Sequence, residues 1–231
     1  MKTNWKKIEH SRQRLTGERL TLRDGGLTWG ASFIRNNDLV DKKAVNFFFS
    51  EDDTYKLGFE FLDKQVQGSY KLIVGQQPSN TATRQCNCKA LLNNSKLLSR
   101  IKESENRNDR IFNIKKEEEI FFIQMNPCFE YFIQFSEIRT LDKTFKGIYR
   151  CLDCNENVVY IGSGSIHDEA LAAQKKCETQ FKYIEYSLIT DRDTAYFWER
   201  HHQLEYKKTY GDLPYYNKVL APKKNVIEIN N

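Results

Sequence analysis

The sequence predicts an α+β protein in two parts: an N-terminal β-rich module with one helix, residues 1–142, and a small α/β domain, residues 145–221, ordered β-β-α-β-α. Three observations predict it. The first half is a series of short apolar stretches broken by polar turns; in YKLGFEF (55–61), Tyr55, Leu57, Phe59 and Phe61 alternate with Lys56, Gly58 and Glu60. The second half holds a hairpin written as two apolar runs around the turn-forming Asp153-Cys154-Asn155-Glu156-Asn157. It also holds two stretches of helix formers, DEALAAQKKCETQ and TAYFWERHHQLEYKKTY.

In order, RLTLRD (19–24) alternates and meets Gly25-Gly26, the mark of a strand ending in a turn. LTWGASFIR (27–35) reads as a second strand, VNFFF (45–49) as a third, and SYKLIVG (69–75) continues the meander past YKLGFEF. QQPSNTATRQ (76–85) is a polar loop. Residues 87–104 follow as a helix, with Leu91, Leu92, Leu98 and Ile101 at helical spacing and Lys89, Lys96, Arg100 and Lys102 on the other face. Residues 111–114 and 119–125 read as a hairpin, and FEYFIQF (129–135) as one more aromatic run. Arg139 to Lys146 is polar and marks the boundary. Beyond the hairpin come a helix over 168–180, a third strand over 181–190, and a long helix capped by Asp191 or Asp193 and closed by Gly211.

Bulk properties narrow the classes. No apolar run reaches the roughly 18 residues of a membrane span, so no membrane association is expected. MKTNWKKIEHSRQR lacks an apolar core, so no secretory signal is read and a cytoplasmic location is expected. The net charge of +5 suits a nucleic-acid partner without requiring one. Arg12, Arg14, Arg19, Arg23, Arg35, Lys96 and Arg100, with aromatics among them, would form a nucleic-acid surface or an ordinary charged exterior. The pairs Cys86/Cys88 and Cys151/Cys154 could offer four thiolates to zinc; reduced core or loop thiols are the expected reading, and a structural zinc is not expected.

The second part carries the chemistry. Gly147-Ile148-Tyr149, Tyr160-Ile161-Gly162, Glu199 within TAYFWE, and Asn217 within PYYN make it resemble the GIY-YIG nuclease domain over about residues 145–220. The resemblance implies a three-stranded antiparallel sheet and hydrolysis of DNA phosphodiesters with one divalent ion, Mg²⁺ or Mn²⁺. It implies Glu199 as the metal ligand, because a single carboxylate suits an ion that keeps its waters and binds phosphate. It implies Tyr149 assisting the attacking water, Tyr160 positioning the phosphate, Asn217 orienting its neighbours, and Gly147 and Gly162 shaping the motif.

One position departs from the pattern. The family's first-helix arginine, which steadies charge on the phosphate, falls on Ala170, and the histidine that often follows falls on Gln174. Losing such a cation costs about 3 kcal/mol in the transition state. Lys175 or Lys176 would replace it imperfectly if the helix were shifted by a turn, Lys176 being the candidate kept. His202, three residues after Glu199, would join the site; His201 and His167 read as ordinary surface or turn histidines. The expected function is therefore a divalent-metal-dependent DNA endonuclease, with the N-terminal module recognising DNA or a protein. The alternative is a catalytically impaired domain that binds nucleic acid or protein.

Overall fold

The computed structural model describes residues 18–51, 53–74, 83–178 and 180–223. Two compact units form. Of the described residues, one gathers those up to Phe48 with those of Gly58–Cys88 and Ile111–Ile123; the other gathers those of Phe49–Leu57, Lys89–Arg110 and from Gln124 onward. Arg12 and Arg14, with most of the 76–85 loop, lie outside the described residues. Among the described residues, no helix is long and apolar enough to cross a membrane.

The first unit is a barrel. Strands β1 (Arg19–Arg23), β2 (Gly26–Trp29), β3 (Ala44–Phe49), β4 (Lys56–Leu62), β5 (Tyr70–Val74), β6 (Arg84–Asn87), β7 (Ile111–Glu117) and β8 (Ile120–Gln124) close in the order β1-β2-β6-β5-β3-β4-β8-β7. Closure comes from β1 pairing antiparallel with β7, Leu20 facing Phe112. Alternation in β4 sends Leu57, Phe59 and Phe61 inward, where they meet Trp29, Phe33 and Phe121. Several of these rings meet edge to face, as at Phe33 and Phe121 with centroids 5.0 Å apart, the geometry ring quadrupoles prefer. The expected second strand is half right: after Trp29 the chain turns into helix α1 (Ala31–Asn36), which buries Phe33 and Ile34.

The second unit holds a sheet of β9 (Tyr131–Gln134), β10 (Lys146–Leu152), β11 (Val158–Ser165) and β12 (Tyr183–Leu188), in the order β11-β10-β12-β9. The helix expected over 87–104 begins as β6 and then breaks into α2 (Lys89–Asn94) and α3 (Lys96–Glu103), because Ser95 leaves helical geometry to cap Leu98 N–H. Helix α4 (Ile166–Lys176) starts on Ser165, which accepts from Asp168 N–H. Helix α5 (Arg192–Tyr210) starts on Asp191, which accepts from Thr194 N–H at 2.7 Å, and ends on Gly211. Tyr149, Cys151, Ile184 and Tyr186 from the sheet pack with Ile166, Ala170 and Ala173 of α4 as the core.

The expected fold class is corrected by both units. In place of an open meander with one helix stands a closed eight-stranded antiparallel barrel, and in place of a three-stranded sheet stands a four-stranded one. The chain is mostly β. Each correction rests on a long-range pairing, β1 with β7 and β9 with β12, that no local pattern encodes.

Candidate functional site

The β10–β11 hairpin is built locally. Asp153 Oδ1 accepts from the backbone N–H of Asn155 and of Asn157, each at 2.9 Å, and so folds the loop on its own side chain. The register then sets Tyr149 opposite Gly162 and Cys151 opposite Tyr160.

Both motif glycines have steric reasons. A Cβ on Gly147 would lie 1.9 Å from the Ser187 carbonyl oxygen, so only glycine lets β10 and β12 approach this closely. A Cβ on Gly162 would lie 2.7 Å from Tyr160 Cε1 and 2.8 Å from the Tyr149 hydroxyl, so the two phenols cross β11 over an absent side chain. Their ring centroids are 6.0 Å apart.

Around the β11 edge lies a cleft of about 530 Å³ within the second unit, lined by Tyr160 with Glu169, Ala172, Ala173 and Lys176 of α4, Tyr196 and Glu199 of α5, and Tyr216, Asn217 and Lys218 of the following segment. The α4 residues recur at helical spacing, which turns one stripe of that helix to the cleft. Tyr160, Glu199, Asn217 and Lys176, all expected at the site from sequence, thus meet in one concavity.

Glu199 is held on both oxygens. Ser163 Oγ donates to one at 2.5 Å and Gln203 Nε2 to the other at 3.1 Å. Gln203 is itself buried; its amide also donates to the Ile161 carbonyl and accepts from Ala221 N–H. Burial pushes the Glu199 carboxyl above its ordinary range and the Glu169 carboxylate adds to the push, against the pull of the Ser163 and Gln203 hydrogen bonds. Burial likewise raises the Tyr160 phenol, with Glu199 adding to it and a hydrogen bond from Tyr149 opposing it. Both shifts favour the protonated form, and a cation beside Glu199 and Tyr160 would oppose them.

Tyr149 is 1% exposed and sits in the core, so it backs Tyr160 rather than facing the cleft. Burial raises its phenol well above the ordinary value, and Tyr160, Cys151, Glu169 and Glu199 add to that. Asn217 clamps the backbone of Ile161: its Oδ1 accepts from Ile161 N–H and its Nδ2 donates to Ile161 O, both at 2.8 Å. With Tyr216 N–H bonded to Val159 O, it makes the segment after α5 a partner for the β11 edge.

The remaining candidates fall elsewhere. His202 Nε2 meets the Pro127 carbonyl at 3.1 Å and its ring lies 4.5 Å from that of Phe129, so it does not line the cleft. His201 packs on Trp198, and buried His167 pairs with Asp168 at 2.7 Å. Ala170, where the resemblance puts arginine, is fully buried against the sheet, and Gln174 caps Phe181 N–H. The cations lining the cleft are the lysines 176 and 218. Arg19, Arg23 and Arg35 belong to the barrel unit, whereas Lys96 lies over the Tyr131 ring and Arg100 pairs with Glu185 in the other.

Sequence reasoning missed Glu169, Ser163, Gln203, Tyr196 and Tyr216. Tyr196 and Gln203 stand three before and four after Glu199 on α5, a spacing that could have found them. Glu169 was hidden as an ordinary acid in a helix's first turn.

Glu169 and Glu199, with the phenols of Tyr160, Tyr196 and Tyr216, give the cleft oxygen donors of the kind a hard divalent ion takes, beside an apolar wall that includes Ala172, Val219, Leu220 and Pro222. Among the described residues, no three His, Cys, Asp or Glu side chains gather into a metal cage. The six cysteines are free, and Cys86/Cys88 and Cys151/Cys154 fall in different units. No family model, curated protein or solved structure matches this chain.

Proposed function

We propose that the cleft at the β11 edge is a GIY-YIG-type site that hydrolyses DNA phosphodiester bonds with one Mg²⁺ or Mn²⁺. The observation that carries this reading is the meeting of Tyr160, Lys176, Glu199 and Asn217, drawn from four separate chain segments, in one cleft. Glu199, with Glu169 as a second carboxylate, would hold the ion. When bound it supplies Lewis-acid polarisation of the phosphate and an acidified water.

The chain's own groups do the rest. Tyr160, kept protonated by its surroundings, donates a hydrogen bond to a phosphate oxygen as charge develops there. Tyr149 fixes the Tyr160 oxygen from behind. Lys176 and Lys218 offset the phosphate charge as point cations, without the bidentate fork of arginine. Ser163 and Gln203 hold the Glu199 carboxylate in one orientation. Asn217 acts on Ile161 and so on the backbone that carries Tyr160.

The burial of Ala170 supports a second reading, a nucleic-acid-binding or protein-interaction module without catalysis. Incubating the purified protein with supercoiled plasmid and Mg²⁺ or Mn²⁺ separates the two. Nicking that Glu199→Ala abolishes and Tyr160→Phe slows is the expected result. Salt-sensitive DNA binding without cleavage under either metal moves the conclusion to the binding module.

A further inference from the structure

The segment after α5 is fixed at several points. Tyr216 N–H bonds the Val159 carbonyl, Asn217 clamps Ile161, and Ala221 donates to Gln203 and accepts from Arg200. Between and beside these anchors it holds large apolar surface in water: Tyr215 is 80% exposed and Val219 75%. An anchored backbone thus keeps the bare Tyr215 ring next to Tyr216, which lines the cleft, where it is open to a ligand. The Tyr215 ring stands edge-on to that of Tyr216, with centroids 4.8 Å apart and planes at 87°, so Tyr216 supports it from one side.

Across the cleft, Tyr196 carries Arg192. The guanidinium lies 5.2 Å from the ring centroid, and its Nε and Nη2 donate to the phenol oxygen at 3.1 and 2.8 Å. Aromatic residues therefore alternate with cations: Tyr215 and cleft-lining Tyr216 precede the cleft lysine 218, and Arg192 lies on cleft-lining Tyr196. Bases stack on aromatic side chains and phosphates follow cations, and this alternation is how unpaired strands are held. The cleft volume of about 530 Å³ suits a group of nucleotide size.

We propose that Tyr215, next to cleft-lining Tyr216 and three residues before the cleft lysine 218, is a stacking site for an unpaired nucleotide, so that the substrate is a nucleic-acid strand with at least one base out of the helical stack. The inference rests on the proposed function for the identity of the ligand and goes beyond it in the state of the strand. A continuous duplex presents phosphates to the lysines but no base face to Tyr215. An unpaired segment presents both.

The test uses the full chain in EDTA with 2-aminopurine-labelled oligonucleotides of one length, single-stranded, fully duplex, or duplex with a central unpaired segment. Wild type is expected to bind the two unpaired forms about tenfold more tightly than the duplex and to quench 2-aminopurine. Tyr215→Ala is expected to lose that preference and the quenching, and Tyr215→Phe to keep both, since the ring and not the hydroxyl stacks. Equal affinity for all three probes, or quenching that survives Tyr215→Ala, overturns the inference. Plasmid nicking that persists alongside such a result leaves the nuclease reading standing. Stacking that depends on Tyr215, without cleavage under Mg²⁺ or Mn²⁺, sustains the inference and removes the nuclease.

Discussion

The barrel interior and the cleft at the β11 edge spend their aromatic residues in opposite ways. Trp29, Phe33, Phe59 and Phe121 are sealed ring against ring, and their return is burial: each large apolar side chain contributes about 1.5–3 kcal/mol when removed from water. In the cleft, Tyr160, Tyr196 and Tyr216 are only partly covered, and their neighbours are carboxylates and lysines. Burial that stabilises the barrel costs the cleft, where it lifts the Glu199 carboxyl away from its charged form. The first region is built to stay folded. The second carries groups that destabilise it and that chemistry can use.

The comparison is broken most directly through one glycine in each unit. A Cβ on Gly26 would lie 1.9 Å from the Cys86 carbonyl oxygen, as one on Gly147 would from that of Ser187. Either change to alanine forces two strands apart, with an expected cost of about 3 kcal/mol or more. Hydrogen exchange read by peptide is the measurement. Gly147→Ala should remove protection from β10 and β12 while β2 and β6 keep theirs, and Gly26→Ala should do the reverse. Loss of protection throughout the chain in both variants would mean that the two units unfold as one.

Glu199→Gln sharpens the contrast next. The amide keeps the shape and can still bond Ser163 and Gln203, but it lacks the negative charge that would hold a cation. If the cleft is the proposed nuclease site, plasmid nicking should fall about a hundredfold or more, equivalent to roughly 2.7 kcal/mol. The melting temperature should equal or exceed that of wild type, because a carboxylate whose pKa is raised by burial is costing stability. A drop of several degrees would assign Glu199 a structural role like those of the barrel residues.

How much of this was legible depended on the range of the interaction. The strand faces of β4, the loop on Asp153 and the caps of α5 are set by near neighbours, and the pattern announced them. Barrel closure was hidden because β1 and β7 lie some ninety residues apart, and the pairing of β9 with β12 was hidden for the same reason. Phe33 and Ile34 read as strand because adjacent apolar residues fit either a buried strand or a short helix. At the site, Tyr160, Glu199 and Asn217 were found as members of a motif, and Lys176 as a neighbour of the missing arginine. That Tyr149 would be interior and His202 would turn to Pro127 depends on packing that the motif does not record.

The pH dependence of folding gives a further, smaller separation. Burial holds His202 well below its ordinary 6.5, at about 3, with His201 and Arg150 pushing the same way and the Pro127 carbonyl opposing. A base with a depressed folded-state pKa stays neutral in the native protein while the unfolded chain takes up a proton. Stability is therefore full above 6.5 and declines as pH falls from 6.5 toward 3, by about 1.4 kcal/mol per unit. Between pH 6.5 and 5 the loss attributable to His202 should be about 2 kcal/mol in urea unfolding. His202→Gln, which stays neutral and can still donate to Pro127 O, should flatten that slope. An unchanged slope would show that the imidazole can reach water or a counter-charge when protonated.

Asn217 offers the smallest and most selective change. Its amide both donates to and accepts from Ile161, standing in for a neighbouring strand at the β11 edge. Asn217→Ala removes both bonds and should cost about 1–2 kcal/mol, since the freed backbone groups of Ile161 are partly rehydrated. Asn217→Asp keeps the acceptor for Ile161 N–H but sets a charge against the Ile161 carbonyl, where a donor had been. If the residue only positions the strand, both variants should lower kcat while the affinity for DNA in EDTA stays close to wild type, and hydrogen exchange at Ile161 should rise in step with the loss. A variant that weakens DNA binding severalfold with Ile161 still protected would instead place Asn217 against the substrate. The edge of β11 would then be closed by Tyr216 alone, and the division between a sealed interior and a working cleft would run one residue nearer to the chemistry.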